Sequence, residues 1–133
     1  MKSSNLDFAG MLARKAENDW KTAAAILDHG LPVDTACFHI QQAAEKLIKA
    51  LLAWQGVDYP LTHNLKVLLE LSIPHFPALA EFLDSLPDYT NYALSLQYDD
   101  YDEPDRDEAV TAFETAKRFR AMVHSLLPAE ARP

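Results

Sequence analysis

This chain of 133 residues contains one cysteine, three glycines and no apolar run near the ~20 residues a membrane span needs. Each shortage excludes something. A lone Cys37 rules out an intrachain disulfide framework and any multi-cysteine zinc site, and reads as a buried, inert thiol in a reducing cytosol. Three glycines are too few for the tight turns of a small β domain, so packed helices are expected. The segment Met1-Lys2-Ser3-Ser4-Asn5 lacks the apolar core of a signal peptide. Together with the missing span, this predicts a cytoplasmic protein with no membrane role. Basic side chains are scarce too. Twelve Lys and Arg against twenty Asp and Glu give a net charge of -8, which disfavours adhesion to nucleic acid or anionic lipid.

What the chain does have is apolar patterning. Hydrophobic residues make up 49% of it, enough at this length for one core in a single domain spanning 1–133. Phe8, Leu12, Ala16, Trp20, Ala23 and Leu27 recur at three- and four-residue steps and predict a first helix from about Asn5 to His29. Ser4 with Asp7 suits a capping box, and Gly30 stands where a helix ends. Asp34 is the expected cap of a second helix running to about Gln55 and stopping at Gly56. Thr62 is the expected cap of a short third helix carrying Leu65, Leu68 and Leu69. Pro74 and Pro77 end it and open a fourth, with Leu79, Phe82, Leu83 and Leu86 inward; Pro87 interrupts that helix before a continuation over Asp88 to Gln97. Asp105 with Glu108 forms another capping box, ahead of a last helix that packs Ala112, Ala116, Phe119, Val123 and Leu126 and stops at Pro128. The expected fold is all-α, an antiparallel up-and-down four-helix bundle with an additional short helix.

The second helix carries the most specific wording. Ile40, Ala44, Leu47, Leu51 and Trp54 fall on one face at about 100° per residue, while Gln42, Glu45, Lys46 and Lys49 gather opposite with His39 at the margin. Glu45 can pair with Lys49, and Gln42 can bridge to Lys46. The run Gln42-Ala43-Ala44-Glu45-Lys46, continued by Lys49-Ala50 and then by Thr62-His63-Asn64-Leu65, resembles the HEPN domain family of prokaryotic helical proteins. The resemblance covers nearly the whole chain. It implies a bundle like the substrate-binding helical domain of some nucleotidyltransferases, a small nucleotidyltransferase as partner, and a homodimer with two-fold symmetry. By the same analogy the protein is one half of a two-gene module of toxin–antitoxin type.

The candidate ligand-binding residues are His39, Gln42, Glu45, Lys46, Lys49, Thr62, His63 and Tyr98. Two lysines beside an amide and a carboxylate can hold a phosphate or an adenylated ligand. Thr62 and His63 are expected at a helix start, whose backbone N–H groups favour an anion. The acidic run from Asp99 to Asp105 fails as a calcium loop. Counted from Asp100, position six is Asp105 rather than glycine, and position twelve is Thr111 rather than glutamate. With no metal cluster, Gly-rich phosphate loop or nucleophile elbow, no cofactor is expected.

Many HEPN proteins are ribonucleases marked by Arg-x(4–6)-His, in which arginine holds phosphate and histidine does acid–base chemistry. The segment from Asn91 to Asp100 occupies the corresponding zone and has neither residue; Gln97-Tyr98-Asp99-Asp100 stands where one branch carries an Arg-Tyr-Pro-Asp-like signature. Arg118 and His124 meet the spacing inside the last helix, where six residues place them on opposite sides. The expected function is therefore non-catalytic binding of a nucleotide-type ligand or a nucleotidyltransferase. A divergent ribonuclease and a purely structural interaction module are the alternatives.

Overall fold

A computed structural model describes residues 2–86 and 104–133, whose regular elements are all helical: α1 (Lys2–Asp28), α2 (Val33–Trp54), α3 (Leu65–Ser72) and α4 (Arg106–Leu126), with short 3-10 turns at Pro77–Phe82 and Ala129–Ala131. No helix among the described residues is long and apolar enough to cross a membrane. α2 is the hub. It packs along α1 and also touches α3 and α4. Twelve of its residues are buried, including Ile40, Leu47, Ile48 and Leu51, so it is enclosed on more than its apolar stripe.

Glycine ends the first two helices as expected. Gly30 and Gly56 have φ of 65° and 71°, which an L side chain rarely adopts. The capping box on α4 is also present. Asp105 accepts from the Glu108 amide at 2.8 Å, and the Glu108 side chain accepts from the Asp105 amide at 3.3 Å.

Five expectations are corrected. α1 begins at Lys2, so Ser4 lies inside the helix rather than capping it. Its core face keeps Ala16, Trp20, Ala23 and Leu27 as expected, but at the start Ala9 and Ala13 replace Phe8 and Leu12. Ala9, Ala13, Ala16 and Ala23 are buried while Phe8 is 43% exposed. Steps of four, three, four, three and four link Ala9, Ala13, Ala16, Trp20, Ala23 and Leu27, and methyl-sized side chains there let α1 approach α2 closely. α2 begins at Val33 with Pro32 at the cap; Asp34 is in the first turn and accepts from the Thr35 amide. α3 is capped by Asn64, whose side chain accepts from the Lys66 and Val67 amides at 3.0 and 3.3 Å, while Thr62 accepts from the Asn64 amide. The helix expected after Pro77 is a 3-10 turn that buries Leu79 and Phe82. The expected continuation over Asp88 to Gln97, with Tyr92, Tyr98 and the acidic run up to Glu103, lies outside the described residues.

Phe119 anchors the core from α4. It is fully buried and meets Phe82 edge to face at 5.0 Å. Trp20 of α1 stacks on Phe113 of α4 at 4.1 Å, with the Arg120 guanidinium over its ring at 5.5 Å. Cys37 is buried and free.

Candidate functional site: a paired polar band on the central helix

At about 100° per residue, Gln41, Glu45, Lys49, Gln42, Lys46 and His39 follow one another around α2 as a continuous polar band. Two carboxylates organise it. At one edge Asp19 of α1 accepts from His39 Nδ1 at 2.9 Å and from Lys46 Nζ at 2.5 Å. At the other edge Glu45 accepts from His63 Nδ1 at 2.6 Å, and Lys49 Nζ lies 3.7 Å away. Between them the Gln42 amide donates to Gln41 Oε1 at 2.8 Å, and Gln41 Nε2 donates to the His63 carbonyl at 3.2 Å.

Burial separates anchors from presenting groups. Gln41 and Glu45 are buried, at 0% and 3% exposure, whereas the His63 side chain is 70% exposed. A carboxylate has no proton to give, so each histidine donates through Nδ1, and the carboxylate fixes its ring orientation. Such a carboxylate–imidazole pair can donate to a ligand or move a proton. Lys49 also lies over the Tyr59 ring, 5.8 Å from its centroid. Burial pushes the Tyr59 hydroxyl above its ordinary pKa. Tyr59 in turn lines a cleft of about 340 Å³ with Asn5, Phe8, Val57 and Asp58.

The structure thus joins Glu45, Lys49 and His63 in one cluster, and His39 and Lys46 in another. Gln42 turns to Gln41 rather than to Lys46. Thr62 holds the turn before α3. The backbone donors expected to receive an anion at Thr62 and His63 are not at a helix start, because α3 begins at Leu65 and Asn64 takes up its first amides. Tyr98 lies outside the described residues. Asp19, Gln41 and Tyr59 escaped the sequence reading. Gln41 stands in the quoted run, but nothing local marks Asp19 or Tyr59, which join the band only through packing.

The formal Arg118–His124 pair does not form a site. Arg118 is exposed, while His124 Nε2 is buried with no hydrogen-bond partner among the described residues. Burial first, then the positive charge of Arg120, lowers the His124 pKa, and Glu17 opposes this. Among the described residues no three His, Cys, Asp or Glu side chains gather to hold a metal ion.

A family model described as HEPN domain matches residues 9–126. Neither the curated proteins nor the solved structures gave a match.

Proposed function

Because this chain belongs to the HEPN domain family, we propose that it is a non-catalytic binding protein that takes a nucleotide-type ligand, a small nucleotidyltransferase partner, or both. Its setting is a two-gene module of toxin–antitoxin type, and the whole chain is an antiparallel up-and-down four-helix bundle in one domain. The observation that carries the reading is the cluster of His63, Glu45, Lys49 and Tyr59. A buried carboxylate there orients an exposed imidazole beside a cation and an aromatic ring. An imidazole N–H and an ammonium suit a phosphate oxygen. Tyr59, at the rim of a cleft of about 340 Å³ that also contains Phe8, offers a π surface to a base. Lys46 and Lys49 are paired with Asp19 and Glu45, so a phosphate must compete for them; His63, also paired with Glu45, is the most exposed of the three and becomes the main recognition residue.

The non-catalytic part rests on arginine. Ribonuclease members pair histidine with an arginine that holds phosphate. Here Arg120 is held by both oxygens of Glu17, and Arg118 is exposed on α4. The test is calorimetry with purine nucleotides on the parent, His63→Ala and Tyr59→Leu, alongside incubation with single-stranded and transfer RNA. Nucleotide binding that both substitutions weaken, with RNA left intact, supports the reading. Binding indifferent to both returns the band to a structural role. RNA cleavage that disappears in His63→Ala or His124→Ala replaces it with the ribonuclease.

A further inference from the structure

We propose that the cleft between α1 and the C-terminal segment binds a compact linear oligophosphate. The cleft is an open groove of about 470 Å³, bordered by the exposed side chains of Arg14, Lys15 and Lys21 from α1 and of Arg132 from beyond α4. That volume is in the range of small-ligand sites, about 300–1,000 Å³. The charge gathered there is out of keeping with the rest of the chain. Four of the twelve Lys and Arg side chains surround one cleft in a protein of net charge -8.

None of the four takes part in an ion pair among the described residues, whose lysine and arginine pairs use Lys46, Lys49 and Arg120. Glu17 is the acidic side chain of the lining, and its charge is already engaged. Arg120 donates to both its oxygens, at 2.9 and 2.7 Å. Asn18 adds an amide beside them. On α1, Arg14, Asn18 and Lys21 stand at steps of four and three and so share a face, with Lys15 one position round. Arg132 is held in place from the other side, its Nε donating to the Leu127 carbonyl at 3.1 Å.

The four cations outnumber the negative charge of the lining, where Glu17 is engaged by Arg120, and a multivalent anion removes their mutual repulsion while gaining charge-assisted hydrogen bonds. His124 adjoins one of these cations: its Nε2 is buried with no hydrogen-bond partner among the described residues, and Arg132, together with Arg120, disfavours its protonated form. The overall negative charge decides the size of the ligand. Screening confines the attraction to roughly 8 Å at physiological salt. A short phosphate chain sits wholly inside that range, whereas a long nucleic acid extends over the acidic remainder. The residues are separate from the α2 band, so either site can fail without the other.

The probe is inorganic tripolyphosphate, titrated calorimetrically at physiological salt against the parent, Arg14→Gln/Lys21→Gln and a control of equal charge change, Lys66→Gln/Arg118→Gln. All four substituted side chains are exposed, so folding is preserved. One-to-one binding is expected, weakened at least about tenfold in the first variant and unchanged in the control. A second reading comes from the His124 imidazole followed by NMR. Tripolyphosphate raises its titration midpoint in the parent and leaves it in place in Arg14→Gln/Lys21→Gln. A nucleoside triphosphate that binds with the same sensitivity supports a phosphate-chain site occupied by a nucleotide. No binding, equal weakening in both variants, or tighter binding of a single-stranded RNA than of tripolyphosphate overturns the proposal.

Discussion

Replacing Glu45 with glutamine keeps the shape of a buried side chain and removes its charge. The new carboxamide oxygen still accepts from His63 Nδ1, so the loss is electrostatic. Lys49, 16% exposed and 3.7 Å away, loses its counter-ion, at a cost of about 1 kcal/mol for a partly buried pair. The His63 contact weakens from charge-assisted to neutral, but that ring is 70% exposed and water returns most of the loss, leaving about 0.2–1 kcal/mol. The sum is about 1–2 kcal/mol, or a fall of about 3–8 °C in Tm for a chain of this size. Glu45→Ala also opens a cavity beside α3 and costs about 3 kcal/mol. Urea unfolding of Glu45→Gln, Lys49→Met and the double variant isolates the pair, with an expected coupling of about 1 kcal/mol. If Glu45→Gln unfolds within about 0.3 kcal/mol of the parent and shows no coupling, the polar band is an ordinary solvated helix face.

Burial, then Asp34 and Glu108, push the Cys37 thiol up from 9.0 to about 11. The folded chain keeps this proton where the unfolded chain has lost it, so the contribution is complete below pH 9 and disappears as pH rises through about 11. Urea midpoints at pH 8 and 10.5 check this, and Cys37→Ala should flatten the difference. His124 has the opposite sign. Its lowered pKa means that the unfolded chain binds the proton more readily below 6.5, so stability present above that pH falls on acidification, and His124→Gln reduces the slope of unfolding free energy against pH. Asp105→Ala removes the capping box of α4 and should cost about 1 kcal/mol in thermal unfolding. Light scattering at micromolar concentration should give twice the chain mass, as expected for a homodimer; the monomer mass rejects it.

The elements that a few neighbouring residues dictate were legible. Gly30 and Gly56 end their helices because each left-handed position follows the last turn directly. Asp105 and Glu108 cap each other three residues apart. The wording from Gln42 to Ala50, completed by Thr62 to Leu65, pointed to the family that a match over residues 9–126 shows. Local chemistry was less decisive at α3. Thr62 and Asn64 can both cap a helix, and the backbone chose Asn64, two residues nearer to Leu65.

Tertiary structure decided the rest. Ala16, Trp20, Ala23 and Leu27 of α1 were legible as core, yet near its start contact with α2 selected Ala9 and Ala13 over Phe8 and Leu12, because distance of approach outweighs side-chain size at a helix crossing. The polar face of α2 was read with partners on α2 alone, because a sequence shows a helix only its own neighbours. Asp19 arrives from 27 residues before Lys46, and His63 from 18 residues after Glu45. Their arrival turns that face into a set of paired charges held by Asp19 and the buried Glu45. The sequence by itself determined which groups α2 carries, and packing determined that carboxylates would hold them, since charge pairing across helices depends on distances that only the folded chain defines.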